Sequence, residues 1–131
     1  MMNEPISTIM TSKLVTVAPS DRLTVAKDIF KKSRIHHLPV VDGKKLVGII
    51  TTGDLVWLNK KFDEYDEILV KDVMTKKLAT LEPDEKIGAA AEVLLEHLFH
   101  AIPITLNGDL VGIVTTFDIL KYEFSKEYPP K

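Results

Sequence analysis

The chain has 131 residues, 45% of them hydrophobic and 27% charged, and it contains no cysteine. This length predicts one domain or two very small ones, and the lack of cysteine excludes a disulfide scaffold, thiolate metal sites and a cysteine nucleophile. Seventeen basic and nineteen acidic residues give a net charge of −2, which argues against a nucleic-acid binder. No apolar stretch approaches the roughly 18 residues of a membrane span. Because no secretory signal is found at the start, we expect a cytoplasmic protein without a membrane partner.

The chain repeats itself with a shift of 64 residues and no gap. In this register, 16 of the 47 positions from 9 to 55 are identical to their partners. A repeat of this kind indicates two copies of one supersecondary unit. We therefore divide the chain into a first repeat (1–62), a linker (63–72), a second repeat (73–125) and a tail (126–131).

Each copy is predicted to fold in the order β-α-β-β-α. In the first copy the predicted elements are, in order, a β-type run at 14–17, a helix at 22–33, strands at 38–41 and 46–50, and a helix from 52 to about 61. Ser20 and Asp84 are typical N-cap residues for the first helix of each copy. The dipeptides Asp42-Gly43 and Asn107-Gly108 predict the hairpin turns. In the second copy the β-type run is 78–81, and the helices are 86–97 and 116 to about 124.

The predicted fold class is α+β, with two β-α-β-β-α repeats. A unit of about 50 residues buries its apolar face poorly when it is alone. We therefore expect the two copies to pack sheet against sheet about a pseudo-twofold axis, which makes two equivalent clefts. The charged linker is expected to be a solvated surface segment.

The sharpest shared motif, Thr-Thr-x-Asp, joins the last strand of each copy to its last helix. Thr51 with Asp54, and Thr115 with Asp118, have the spacing of a capping box, in which hydroxyl and carboxylate bond the free N–H groups of the first helical turn. The same groups suit a nucleotide, because hydroxyls and helix N-termini attract phosphate and a carboxylate accepts both hydroxyls of a ribose. The sequence leaves both interpretations open.

A second shared motif, His-x-x-Pro, lies where the first helix of each copy meets the next strand. A proline at the first position of a strand removes no ladder donor, which is a structural explanation for Pro39 and Pro103. The histidines of the motif either end the preceding helix, where an imidazolium gains from the helix dipole, or face the cleft and donate to phosphate. These histidines are His36, His37 and His100.

Other chemistries find little support in the sequence. His97 and His100 are three residues apart, but without a cysteine or an HExxH pattern we expect no metal site. The chain has no Gly-x-Ser-x-Gly elbow, no GxGxxG fingerprint and no Walker loop. We assign no catalytic residue and expect no enzymatic activity.

Four paired landmarks give the sequence a recognisable resemblance. They are Met10-Thr11 and Met74-Thr75 with the threonines that follow, the Pro19 and Pro83 turns, the His-x-x-Pro segments, and the Gly-h-h-Thr-x-x-Asp endings, where h is apolar. In this order and register, twice, they resemble a tandem pair of cystathionine β-synthase (CBS) domains, often called a Bateman module. The resemblance covers about residues 9–122.

The resemblance implies binding of an adenosine-type ligand such as AMP, ADP or ATP; some similar proteins bind S-adenosylmethionine or a dinucleotide. In similar proteins the aspartate of the last motif binds the ribose hydroxyls, and the threonine three residues before it contacts phosphate. The first-strand threonine and the apolar residue before the proline hold the adenine. The implied site residues are Thr16, His36, His37, Leu38, Pro39, Thr51 and Asp54 in the first copy and Thr80, His100, Ile102, Pro103, Thr115 and Asp118 in the second.

The two implied sites differ in two basic residues. His37, which is expected to bind phosphate, corresponds to Ala101, and Arg34 corresponds to Leu98. We therefore expect unequal affinity, with one stronger site. The leading hypothesis is a non-enzymatic energy-sensing module, requiring no cofactor, that binds an adenine nucleotide and signals to an unidentified protein, as a homodimer. The alternatives are an interaction subunit with vestigial clefts, or a sensor of S-adenosylmethionine or an NAD-type ligand.

Overall fold

The computed structural model of the protein describes residues 2–97 and 99–130. Their main elements, in chain order, are α1 (Leu23–Ser33), β1 (His37–Asp42), β2 (Lys45–Thr51), α2 (Thr52–Leu58), α3 (Ile87–His97), β3 (Ala101–Leu106), β4 (Asp109–Thr115) and α4 (Thr116–Glu127). Both hairpins, β1–β2 and β3–β4, are antiparallel. The predicted α+β class is confirmed. None of the helices in the described part of the chain has the length and apolar character of a membrane span.

The chain divides into two compact units. The first unit is Val15–Leu78 and contains α1, β1, β2 and α2. The second unit joins the residues up to Leu14 to those from Ala79 onward, and it contains α3, β3, β4 and α4. Residues 63–72, which the sequence suggested as a linker, therefore belong to the first unit.

The core of the first unit is formed by one helix, the hairpin and the segment that follows α2. Its fully buried side chains include Leu23 and Ala26 of α1 and Leu38 and Val40 of β1. Two further core residues, Tyr65 and Val70, come from the segment suggested as a linker. That segment forms the short 3-10 helices Phe62–Glu67 and Val70–Asp72. Most of its acidic residues are exposed while its apolar residues complete the core, so only part of it is the solvated surface expected from its charge.

The second unit is built in the same way. Ala90 and Leu94 of α3 pack with Ile102 and Ile104 of β3, and Ile6 completes this core from the start of the chain. Ile6 and Val70 occupy equivalent positions in the 64-residue repeat. We call the stretches 6–11 and 70–75 the leading segments of the two repeats. Each unit therefore receives the leading segment of the other repeat.

The same exchange occurs in the backbone hydrogen bonds. Thr75 exchanges two bonds of 2.8 and 3.0 Å with Ile49 in the first unit. Thr11 exchanges two bonds of 2.9 Å with Ile113 in the second unit. Each leading segment thereby pairs with the inner part of a hairpin strand that belongs to the other repeat.

Some predicted elements are shorter or displaced. The β-type runs at 14–17 and 78–81 reduce to single bridges, in which Val17 pairs with Val40 and Leu81 with Ile104. The first hairpin turns at Gly43-Lys44 and not at Asp42-Gly43, because Asp42 pairs with Lys45 in the ladder. The predicted turn at Asn107-Gly108 is present, and both residues adopt the positive φ that a type I′ turn requires.

The helix ends also differ from the prediction. Ser20 is not the N-cap of α1, because the helix starts at Leu23 after an extended Arg22 whose side chain makes no cap bond. Asp84 likewise lies in a turn before α3 begins at Ile87. Helix α2 ends at Leu58, earlier than predicted, because Asn59 adopts a left-handed conformation with φ of 53°.

Candidate functional site

The Thr-x-x-Asp motif forms a capping box in both units. In the first unit, Thr51 Oγ1 accepts a hydrogen bond from the Asp54 N–H at 3.1 Å, and Asp54 Oδ2 accepts one from the Thr51 N–H at 2.9 Å. In the second unit the corresponding distances between Thr115 and Asp118 are 3.3 and 2.9 Å. The capping interpretation of this motif is therefore correct for both copies.

The capping role uses only one carboxylate oxygen of each aspartate. Asp54 and Asp118 are half-buried, and within residues 2–97 and 99–130 the Oδ1 atom of neither one accepts a hydrogen bond. The Thr115 hydroxyl also lies 3.1 Å from Asp118 Oδ2, which fixes this side chain further. An ionised carboxylate offers about four acceptor positions. Each aspartate can therefore cap its helix and still accept hydroxyl groups from a ligand.

The His-x-x-Pro segment lies beside this motif in each unit. His37 is the ladder partner of Thr51, and Ala101 is the ladder partner of Thr115. The backbone carbonyl of His36 accepts a hydrogen bond from the Thr52 N–H at 3.2 Å. The equivalent bond in the second unit, from the Thr116 N–H to the His100 carbonyl, measures 3.1 Å. The fold thus brings the two predicted motifs together twice.

The side chains of His36 and His100 are exposed, and that of His37 is half-buried. None of the three belongs to a helix, because α1 ends at Ser33 and α3 at His97. The histidines therefore do not end the first helix of each copy, as one interpretation expected. The backbones of His36 and His100 are bonded to Thr52 and Thr116 of the two motifs, and an exposed imidazole can donate a hydrogen bond whether it is neutral or charged.

The predicted threonines of the first strand lie on the other side of β1 and β3. The Val17 N–H donates to the Pro39 carbonyl at 3.1 Å, which holds Thr16 along the outer edge of β1. Leu81 makes the equivalent bond of 3.3 Å to Pro103, which places Thr80 along β3. Thr16 is half-buried and Thr80 is exposed. Each threonine is thus separated from its Thr-x-x-Asp motif by the width of one strand.

Four predicted residues are part of the hydrophobic interior. Leu38 and Ile102 have no exposed surface, and Pro39 and Pro103 are buried beside them. Their burial follows from the hairpins, whose central residues are covered on both faces. A direct contact between these side chains and an adenine ring stays a prediction.

The two candidate sites differ in the residues around the shared groups. Gly53 of the first unit corresponds to Phe117, which is exposed next to Asp118. Arg34 is exposed and adopts a left-handed conformation directly after α1, with φ of 50°. Its counterpart Leu98 lies outside the described residues. Within the described part of the chain, no group of three or more His, Asp or Glu side chains could hold a metal ion.

One electrostatic cluster was not predicted from the sequence. The Tyr122 hydroxyl of α4 donates a hydrogen bond to Glu4 Oε2, and Lys126 Nζ lies 3.2 Å from Glu4 Oε1. The hydrogen bond from Tyr122 lowers the pKa of Glu4 to about 2. The contacts of Lys126 with Tyr122 and Glu4 raise the pKa of Lys126 above its ordinary value. No sequence signal could have indicated this cluster, because its partners lie at opposite ends of the chain.

Comparison with known proteins supports the repeat interpretation. The CBS domain family model matches the chain twice, at residues 6–59 and 70–125. Inosine-5′-monophosphate dehydrogenase of Korarchaeum cryptofilum is 33% identical over 111 residues, which cover 84% of this chain and 22% of that enzyme. The chain therefore spans less than a quarter of the length of this relative.

Two solved structures resemble the chain over nearly its whole length. CBSX2 in complex with AMP has a TM-score of 0.86 at 25% identity, covering 95% of this chain and 98% of that chain. The CBS domain pair of protein MJ0100, in complex with 5′-methylthioadenosine and S-adenosyl-L-methionine, has a TM-score of 0.82 at 27% identity and covers 95% and 98%. With both repeats matched by the family model, the chain belongs to the CBS domain family.

Proposed function

We propose that this chain is a non-enzymatic regulatory module that binds an adenosine-type ligand at its Thr-x-x-Asp motifs and signals to a separate protein. The observation that carries the proposal is the Asp54 and Asp118 geometry, in which one carboxylate oxygen caps a helix and the other is available to a ligand. The similar structures of CBSX2 and MJ0100, which hold adenosine-type ligands, support the choice of ligand class.

In this proposal the roles follow from the chemistry of each group. The Oδ1 atoms of Asp54 and Asp118 accept the hydroxyls of a ribose, because charge-assisted hydrogen bonds to a carboxylate are the strong ones. The Thr51 and Thr115 hydroxyls contact phosphate, and the exposed His36 and His100 donate to it. Thr16 and Thr80, with the backbone at Leu38 and Ile102, hold the adenine.

The proposed sites have unequal affinity. Only the first unit has a histidine, His37, at the position beside the Thr-x-x-Asp motif, where the second unit has Ala101. Only the second unit has an aromatic side chain, Phe117, next to its aspartate. The first site therefore has an additional hydrogen-bond donor for phosphate, and the second has an apolar side chain that can contact the nucleoside.

The proposed module acts in the cytoplasm as a homodimer. Val56 and Trp57 of α2 are exposed, as are Leu120 and Phe124 of α4. Large apolar side chains grouped in this way on two helices are typical of an interface between protein chains. A homodimer is the simplest assembly that covers them.

A melting-curve screen tests the proposal. AMP, ADP, ATP, S-adenosylmethionine and NAD are each added at millimolar concentration, and the nucleotide is recovered and analysed by chromatography. A ligand at 100 times its dissociation constant stabilises the fold by about 2.7 kcal/mol. We expect at least one adenosine ligand to raise the melting temperature and to be recovered intact. If none of the five moves it, the alternative of an interaction subunit with vestigial sites replaces the sensor.

The same screen ranks the ligands. A shift that differs among AMP, ADP and ATP supports energy sensing. A larger shift with S-adenosylmethionine, one of the ligands in the MJ0100 structure, favours a sensor of that compound. A product appearing during incubation contradicts the non-enzymatic assignment.

A further inference from the structure

The segment that joins the first helix of each unit to its hairpin differs in charge between the two units. Residues 31–37 of the first unit contain Lys31, Lys32 and Arg34, a net charge of +3 with the histidines neutral. The equivalent residues 95–101 of the second unit contain one acid, Glu96, and no lysine or arginine, a net charge of −1. All four of these charged side chains are exposed. The two units therefore present opposite charge at equivalent positions.

In the first unit this basic segment lies beside the Thr-x-x-Asp motif. The end of α1 is close to the start of α2, because Lys31 and Thr52 line the same groove. Further along the segment, the His36 carbonyl accepts the hydrogen bond of the Thr52 N–H. Within the described part of the chain, Lys31, Lys32 and Arg34 make no ion pair. Their positive charge is therefore available to an anionic group of a ligand.

The second unit has aromatic rings at the corresponding place. Phe99 is 42% exposed and Phe117 is 68% exposed. They are the chain neighbours of His100 and Thr116, whose backbones are joined by a hydrogen bond of 3.1 Å. The Phe99 ring also stacks on that of His97, with centroids 5.5 Å apart. The motif of the second unit is thus bordered by aromatic surface where that of the first is bordered by positive charge.

The hydrophobic core does not account for these rings. The first unit has Ile35 and Gly53 at the positions of Phe99 and Phe117. Ile35 packs against the core of its unit, whereas neither Phe99 nor Phe117 belongs to the core of the second unit. Both units nevertheless form the same helices and hairpin. Exposed aromatic side chains grouped beside one motif are typical of a binding surface.

Charge determines which adenosine ligands each surface favours. A phosphorylated nucleotide is strongly anionic, so a segment of charge +3 attracts it and an acidic segment repels it. An adenosine compound without phosphate gains little from lysine and arginine. Its base and an apolar 5′ substituent can instead pack on aromatic rings.

We propose that the two units bind different adenosine ligands: the first unit binds a phosphorylated nucleotide, and the second binds an adenosine compound without phosphate, such as a 5′-thioether nucleoside. Asp54 and Asp118 bind the ribose in both cases. Arg34 with its neighbouring lysines selects the 5′ group in the first unit, and Phe99 with Phe117 selects it in the second. This inference rests on the adenosine-binding function proposed above and assigns a ligand class to each of its two sites.

Calorimetric titrations of the full chain with two probes, ATP and 5′-methylthioadenosine, test the inference. We expect one equivalent of each probe per chain, with an affinity that is unchanged when the other probe is present at saturation. Added salt should weaken the binding of ATP and not that of 5′-methylthioadenosine, because salt screens exposed charges. Displacement of one probe by the other, binding of only one probe, or two equivalents of either probe overturns the inference. If no adenosine compound binds at all, the proposed function itself is wrong.

The internal repeat supplies matched variants, since a residue of one unit can be replaced by its counterpart from the other. Lys32→Glu combined with Arg34→Leu should weaken ATP binding about 10-fold or more and leave 5′-methylthioadenosine binding unchanged. Phe99→Ile combined with Phe117→Gly should weaken 5′-methylthioadenosine binding about fivefold or more and leave ATP binding unchanged. The control is Lys44→Ala, which removes an exposed lysine in the β1–β2 turn and should change neither affinity. A paired variant that weakens both probes equally, or neither, overturns the inference.

Discussion

Met10 lies directly against Gly112 in the second unit. A Cβ atom on Gly112 would come within 2.5 Å of Met10 Sδ and 3.2 Å of the Thr11 carbonyl oxygen. Met74 stands in the same relation to Gly48 in the first unit, with a corresponding distance of 2.6 Å. The paired Met and Gly landmarks of the repeat therefore serve one packing contact, in which each leading segment covers a hairpin strand.

Gly112→Ala tests this contact. Because the added methyl group meets a side chain and a backbone carbonyl, we expect the free energy of unfolding to fall by about 1–3 kcal/mol in urea denaturation. Met10→Ala in the same chain should remove part of that loss, giving a coupling energy in a double-mutant cycle. Gly53→Ala is the control, since its Cβ meets only Thr51 Oγ1, at 3.6 Å. Equal effects of Gly112→Ala and Gly53→Ala would contradict the packing contact.

The Glu4 cluster predicts a specific acid sensitivity. The hydrogen bond from Tyr122 lowers the pKa of Glu4 from 4.5 to about 2. A lowered folded-state pKa contributes stability at neutral pH that is lost as the pH falls from 4.5 to about 2. Glu4→Gln should show a shallower decline of unfolding free energy across this range, and Tyr122→Phe should move the decline to higher pH. The control is Glu127→Gln, which changes an exposed acid of α4. If Glu4→Gln and Glu127→Gln show the same pH dependence of unfolding free energy, the cluster does not contribute to the acid sensitivity.

Arg34 predicts a stabilising substitution. It adopts a left-handed conformation after α1, with φ of 50° and ψ of 26°, which costs a residue with a Cβ about 1–2 kcal/mol. Glycine lacks this cost but loses more backbone entropy on folding. We expect Arg34→Gly to raise the free energy of unfolding by up to about 1 kcal/mol relative to Arg34→Ala, measured by denaturation. A less stable glycine variant would contradict the backbone assignment.

The exposed helices predict association at micromolar concentration. Trp57 is the single tryptophan of the chain and is 88% exposed in the described chain. Its fluorescence should shift to shorter wavelength as the protein concentration rises, and Trp57→Ser should weaken association. Light scattering gives the mass directly. A value near the chain mass of 14.7 kDa would rule out the homodimer under those conditions.

Much of this fold could be predicted because the repeat supplies its own internal comparison. Gly48 and Gly112, or Asp54 and Asp118, recur in register, and such recurrence distinguishes structural positions from accidental ones. The capping boxes followed directly from the Thr-x-x-Asp spacing. The hairpins followed from pairs of short apolar runs that are joined through turn residues.

The exchange of leading segments could not be predicted from local patterns. Ile6 and Val70 look like ordinary apolar residues before a helix, and only tertiary packing decides which hairpin each one covers. The burial of Tyr65 could not be predicted either. Residues 63–72 are mostly charged, and one aromatic residue among them does not change the prediction of a solvated segment. The start of α1 was also predicted too early. Asp21 accepts a hydrogen bond from the Ala18 N–H at 2.8 Å, which forms a turn before the helix begins.

Because the capping boxes are formed, substitutions of the candidate-site aspartates affect the stability of the protein as well as ligand binding. Asp54→Ala and Asp118→Ala each remove a cap bond, so each should lower the stability of the ligand-free protein by about 0.5–2 kcal/mol. Loss of stability alone therefore does not identify a ligand contact. Asp21→Ala is the matched control, because it removes a similar side-chain to backbone bond at a position outside both candidate sites.

Calorimetric titration of the adenosine ligand that raises the melting temperature most tests the central claim. It is performed on the unchanged protein and on Asp54→Ala, Asp118→Ala and Asp21→Ala. Loss of charge-assisted hydrogen bonds, worth about 1.5–3 kcal/mol each, should weaken binding about 10- to 100-fold in at least one of the two site variants. Asp118→Ala is expected to show the clearer effect, and Asp21→Ala should bind as the unchanged protein does. Unchanged affinity in both site variants would contradict the assignment of these aspartates to the ribose.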